Sequence, residues 1–176
     1  MTPYRYAGEG RAVAGFSGCG RFRYSLQFRL RDQGPRVAVI LLHPMLGNVD
    51  HKDAETEKVL AIGRALGWGT VEIGGLFARR CKVSAGALIT AADPVGPSND
   101  AALRSMMASA DLVIAAWGEV WNARRRIRDR WPKVVRIAAE AGATLYCLGL
   151  DRDRHPLRAL VARAVTPEPW SVPDDD

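Results

Sequence analysis

From 22 to 30 the chain alternates without a break. Phe22, Tyr24, Leu26, Phe28 and Leu30 share one face, and Arg23, Ser25, Gln27 and Arg29 the other. A period of two predicts a half-exposed strand, with Gly18-Cys19-Gly20 before it and Asp32-Gln33-Gly34-Pro35 as the turn after it. Val37-Ala38-Val39-Ile40-Leu41-Leu42 is continuous and rich in β-branched residues, the pattern of a central strand covered on both faces. A helix is predicted over 53–66. Asp53 can cap it, Glu55 and Glu57 suit its positive end, and Gly67 can stop it.

Strand and helix patterns then alternate. A strand is predicted over 70–77, a long loop over 79–97, and a helix over 99–110 whose buried stripe is Leu103, Met106, Met107 and Ala110. A buried strand follows over 112–117. Helical sequence over 119–141 is interrupted by Pro132, which predicts two helices with the proline near the start of the second. The last strand is expected over 143–148 and the last helix over 156–164. The segment 166–176 holds three prolines and ends in three aspartates, so a frayed acidic tail is expected. An edge strand followed by repeated β-α units predicts an α/β fold: a three-layer α/β/α sandwich around a mainly parallel sheet with an antiparallel edge strand. The expected organisation is a lead-in over 1–20 and a single domain over 21–165.

Composition narrows the class. Of 176 residues, 48% are hydrophobic and 25% charged, which excludes a wholly disordered chain. No apolar run approaches the roughly 20 residues that span a bilayer, and 1–11 lacks the apolar stretch of a signal peptide, so a cytoplasmic protein without a membrane partner is expected. The three cysteines, Cys19, Cys81 and Cys147, are odd in number and far apart, so buried thiols are expected rather than disulfides. A net charge of +6 and a pI near 9.6 favour polyanionic partners only weakly.

In sheets of this class ligands bind beyond the carboxyl ends of the parallel strands. That rule selects the loops 43–52, 78–97, 118–122 and 149–155. All three histidines, His43, His51 and His155, fall in two of them. They lack the short fixed spacing of a metal motif, and no cofactor motif is present: there is no G-x-x-x-x-G-K-[ST], no G-x-G-x-x-G after a strand and no G-x-S-x-G. Asn48, Asp50 and Asp53 are either turn and cap residues or polar groups of a site. His155-Pro156 is either a helix start or part of the same site. Phe77 and Trp117 end two strands, where an aromatic ring either joins the core or stacks on a planar ligand. Arg79, Arg80 and Arg124 are either a solvated face or contacts to phosphate.

Taken together, several short motifs resemble the bacterial and phage family called domain of unknown function 1643. They are Arg23-Tyr24-Ser25-Leu26, Leu42-His43-Pro44 with Asp53 and Thr56, Gly67-Trp68-Gly69, Leu76-Phe77-Ala78, Val95-Gly96 with Asn99-Asp100, Ala116-Trp117-Gly118, and Gly149 with His155-Pro156-Leu157. More distantly, their order looks like the uracil-DNA glycosylase superfamily. There a strand ending in a polar residue and proline positions water, a second strand ends in a base-reading asparagine, and a histidine-proline loop follows. Leu42-His43-Pro44-Met45, Gly74-Gly75-Leu76-Phe77-Ala78-Arg79 and His155-Pro156-Leu157 stand at the corresponding places, with glycine at 75 in place of the usual asparagine.

The resemblance implies a glycosylase-like domain that hydrolyses an N-glycosidic bond in DNA or a nucleotide. In it His43 serves the water and the sugar, and His155 the leaving base, with Asp50 or Asp53 as electrostatic support. Pro44, Asn48, Gly75, Phe77, Trp117 and Pro156 would surround the substrate. Imidazole, with an ordinary pKa near 6.5, suits a general base at neutral pH. The alternative is a non-catalytic nucleotide- or nucleic-acid-binding module on the same fold.

Overall fold

The computed structural model describes residues 4–7, 11–81, 88, 90–118, 120 and 125–173. Eight strands among them form one sheet: β1 (Tyr4–Ala7), β2 (Ala12–Ser17), β3 (Arg23–Arg29), β4 (Arg36–Leu41), β5 (Thr70–Gly75), β6 (Leu112–Ala115), β7 (Leu145–Cys147) and β8 (Glu168–Pro169). The helices are α1 (Ala54–Leu66), α2 (Asn99–Ala108), α3 (Arg125–Arg128) and α4 (Trp131–Glu140). Strand order is β1-β2-β3-β5-β4-β6-β7-β8.

The expected parallel centre is present, since β5, β4, β6 and β7 run the same way. Yet four of the seven pairings, β1–β2, β2–β3, β3–β5 and β7–β8, are antiparallel. The sheet is therefore mixed and mostly antiparallel, which corrects the mainly parallel expectation. The reason is local: Ala12–Ser17 reads AVAGFS and Glu168–Pro169 lies among prolines, so neither carries an alternating pattern. Both are recruited by the unpaired backbone groups at the edges of the sheet.

The C-terminal segment departs twice more. No helix forms over 156–164; Pro156 bridges Leu150, and Leu157 N–H donates to the Gly149 carbonyl at 3.0 Å. Backbone groups that a helix would use are turned back to the preceding loop. Nor is the stretch after 166 wholly frayed, because β8 pairs with β7 and Trp170 is buried.

The alternating side chains of β4 divide the core. Val37, Val39 and Leu41 pack with Val59, Leu60 and Ile62 of α1, while Ala38 and Ile40 pack with Leu103, Met106 and Met107 of α2 and Val134, Ile137 and Ala138 of α4. Each fully buried large side chain contributes roughly 1.5–3 kcal/mol. The ends of α1 follow the sequence. Asp53 stands extended before it and accepts from Thr56 N–H, a cap worth about 1 kcal/mol, and Gly67 closes it with φ +77°. This packing puts the carboxyl ends of β5, β4, β6 and β7 along one edge. No helix among the described residues is long and apolar enough to cross a membrane.

Candidate functional site

His43 leaves the end of β4 and is only 7% exposed. Its Nδ1 lies 3.1 Å from the Pro44 carbonyl oxygen, which can only accept, so Nδ1 carries the proton and the lone pair is left on Nε2. Cys81 Sγ stands 3.5 Å from the same nitrogen. Burial pushes the His43 pKa below its ordinary value. The Pro44 carbonyl opposes that shift, the charge of Arg158 adds to it, Asp53 opposes it, and Arg23 adds to it. The result is a neutral, oriented imidazole at neutral pH.

Leu42, rather than its chain neighbour His43, lines a cavity of about 400 Å³ together with Trp117, Gly118, Asp151, Pro156, Leu157, Arg158 and Val161. The cavity gathers the ends of β4 and β6 and the loop after β7. Gly118 has φ +80°, and a Cβ there would stand 2.1 Å from Arg158 Cγ, so the stem of Arg158 crosses a position that only glycine leaves open. The Arg158 guanidinium then reaches Glu55 in the first turn of α1, at 3.3 and 3.4 Å. Glu55 is buried, and desolvation raises its pKa against the pull of Arg158.

The expected site residues separate into distinct surroundings. Asp53 is the α1 cap, its oxygens accepting from Thr56 N–H and Oγ1–H at 2.8 and 3.1 Å. Asn48 folds its own loop by accepting from the N–H groups of Asp50 and His51, and both of those side chains are exposed. Pro44 is buried beside His43. Phe77 is fully buried in the core on the α2 and α4 side. Trp117, also fully buried, forms part of the cavity wall and meets Trp170 edge to face at 5.6 Å. Pro156 also lines the cavity.

His155 is buried with its ring 5.5 Å from Trp131 and 6.4 Å from Trp170, and its N–H donates to Asp151 Oδ1. Its neighbours Pro156 and Leu157 reach the cavity, while the imidazole packs among tryptophans. At Gly75 a Cβ would stand 2.6 Å from the Phe77 carbonyl oxygen and 3.2 Å from His43 Cα. The end of β5 thus touches the histidine through bare backbone. Arg79 is half-buried, with its N–H donating to the Pro94 carbonyl. Arg80 is tied to the Gly20 and Leu46 carbonyls and lies over the Phe16 ring. Arg124 falls outside the described residues. Among the described residues no group of three or more histidine, cysteine or acidic side chains is placed to hold a metal ion.

Several residues of the site had no role assigned from the sequence, although Arg23, Asn99 and Asp100 stand in the family motifs. Asn99, fully buried at the start of α2, donates Nδ2–H to the Gly75 and Leu76 carbonyls at 3.1 and 3.2 Å. Arg130 donates Nε–H to the same Leu76 oxygen at 2.6 Å and pairs with Asp100. Together they pin the end of β5. Arg23, placed by its alternation on the open face of β3, is 3% exposed and donates to the Gly47 carbonyl at 2.6 Å. Only the presence of His43 one strand away would have drawn attention to Cys81, because strand order is not written in the spacing.

No curated protein and no solved structure matches the chain. The family described as "Protein of unknown function (DUF1643)" matches residues 23–157, from the buried Arg23 to Leu157 at the cavity, and the chain belongs to this family.

Proposed function

We propose that this edge of the sheet hydrolyses the N-glycosidic bond of a nucleobase, in DNA or in a nucleotide. The observation that carries the proposal is His43: buried, neutral at physiological pH, with Nδ1–H tied to a backbone carbonyl, and next in the chain to Leu42, which lines a cavity of about 400 Å³. A water held by Nε2 gives its proton to the imidazole as its oxygen bonds to the anomeric carbon. The carbon–nitrogen bond breaks, and its electron pair leaves with the base. The wall of Trp117, Pro156 and Leu157 suits a planar ring, and Arg158 offers hydrogen-bond donors to the departing anion. We assign His155 to building that wall rather than to the leaving base. The finer fold belongs to the same proposal: a three-layer α/β/α sandwich similar to the uracil-DNA glycosylase superfamily, supported by helices packed on both faces of β4.

A second reading, a binding module without chemistry, is favoured by Gly75. A side chain there would collide with the Phe77 carbonyl, so the end of β5 offers no amide to read a base. Labelled oligonucleotides, single- and double-stranded, carrying uracil, hypoxanthine, alkylated or hypermodified bases separate the two. Alkali-revealed breaks support the hydrolase. Salt-sensitive binding without breaks supports the module.

A further inference from the structure

The polar groups around the loop between β4 and α1 do not close into a complete network. Arg23, 3% exposed, gives one N–H to the Gly47 carbonyl and makes no ion pair or further side-chain hydrogen bond among the described residues. A guanidinium has five N–H donors, so most of them are left over. Arg80 reaches the neighbouring carbonyl, Leu46, at 2.9 Å, and Gly20 at 3.2 Å, while its Nε is buried without a partner. Two cations thus converge on consecutive carbonyls of one turn. The carboxylate whose charge Arg23 feels, Asp53, is engaged in capping α1 and pairs with neither arginine. Burial pushes Arg23 down to about 10; Asp53 opposes the shift and Arg80 adds to it.

A buried cation with no carboxylate in ion-pair contact is unfavourable, and a second cation beside it makes matters worse. An anion between them removes both penalties and uses the spare donors. A tetrahedral group with more than one charged oxygen has acceptors enough for two guanidinium groups at once. We propose that Arg23 and Arg80, where they meet the Leu46–Gly47 turn, form a binding site for a phosphate group. Because Arg23 is almost covered, that turn must move for the phosphate to enter. The site stands on the arginines alone; that its phosphate belongs to the substrate cleaved at His43 rests on the hydrolase reading.

The test is thermal unfolding and calorimetric titration of the full chain with three probes: inorganic phosphate, a nucleoside 5′-monophosphate and a short single-stranded oligonucleotide. Chloride at matched ionic strength is the reference. At least one probe stabilises the wild type beyond chloride, and Arg23→Gln and Arg80→Gln each weaken that binding about tenfold or more, the worth of a charge-assisted contact. Arg23→Lys keeps the charge without the fork and retains part of it. Stabilisation by free phosphate and the monophosphate identifies a monoester ligand; stabilisation by the oligonucleotide alone identifies a backbone diester. If none of the probes stabilises the wild type, or if both glutamine variants bind as well as the wild type, the site is overturned. Should Arg23→Gln not fold, Arg80→Gln decides. Base release is read separately on the same preparations, so phosphate binding without base release removes the hydrolase reading and leaves the phosphate site in place.

Discussion

Replacing Asn99 by alanine and by aspartate probes the clamp that holds the end of β5 against the site. Asn99 is fully buried and gives its two Nδ2 hydrogens to the Gly75 and Leu76 carbonyls. Alanine removes two hydrogen bonds of about 1 kcal/mol each and opens a small cavity. It also removes Asn99 Oδ1, which is buried without a partner and now costs about 1 kcal/mol. The Leu76 oxygen keeps Arg130 at 2.6 Å, so the net loss should be about 2 kcal/mol. That corresponds to about 4–8 °C in Tm for a domain of this size. Aspartate keeps the volume but puts an acceptor oxygen where Nδ2 donated to both carbonyls, and leaves the second oxygen buried without a partner. At pH 7.5 it should cost more than about 4 kcal/mol, the penalty of an uncompensated buried charge. Protonation supplies one donor, so the carboxyl's pKa in the fold lies above its unfolded value. The deficit therefore shrinks as pH falls toward 5.5, whereas the alanine deficit does not. Urea unfolding of both variants at the two pH values reads these differences. Aspartate no worse than alanine at pH 7.5, or a gap that fails to narrow at pH 5.5, would refute the clamp.

Three further outcomes are expected. His43 is held neutral by burial, so its folded pKa lies below the unfolded value near 6.5. The unfolded chain then binds the extra proton first: stability falls as pH drops from about 6.5 toward the folded pKa, and His43→Gln abolishes that part of the slope in a series of unfolding curves. Arg158→Met leaves the buried Glu55 without its cation. Because the Arg158 side chain is 49% exposed, the loss at pH 7 should be about 1–2 kcal/mol rather than that of a fully buried pair. Glu55→Gln in the same chain should recover most of it, and a double variant as unstable as Arg158→Met speaks against the pair. Trp170→Ala removes a ring packed against Trp117 and Trp131 and a hydrogen bond to the Arg154 carbonyl. It should cost about 3–5 kcal/mol, and an unchanged Tm would mean that the segment after 166 is not part of the core.

What could be read from the sequence was local. Asp53 and Gly67 mark the ends of α1 because a cap and a left-handed stop each need one residue of a particular kind. The run 37–42 announces a central strand because only burial on both faces tolerates it. The strand rule pointed to the carboxyl ends of the parallel strands, and a cavity does lie there, between the ends of β4 and β6 and the loop after β7. What escaped was set by tertiary contact. Arg23 belongs to the polar face of an alternating strand, yet the loop before α1 settles over it. The apolar and basic residues over 156–164 fit a helical period, but Leu157 N–H donates back to the Gly149 carbonyl and Asp151 N–H to the His155 carbonyl, and the helix is lost. His155 stands in a loop that the strand rule selects, yet its ring packs against Trp131 and Trp170. Cys81 meets His43 only because β4 and β5 are neighbours.

The central claim is that His43 delivers water to an N-glycosidic bond, and single-turnover base release by wild type and His43→Ala, matched for folded fraction, tests it most directly. On whichever base of the panel is cleaved, the wild-type rate should rise with pH through the acid side and level off below about 6.5, as expected for a buried imidazole acting as base. His43→Ala should lose about 10²–10⁴-fold and the pH limb with it. Equal rates for the two proteins, or release from none of the bases while the folded wild type binds the oligonucleotides, would contradict the claim.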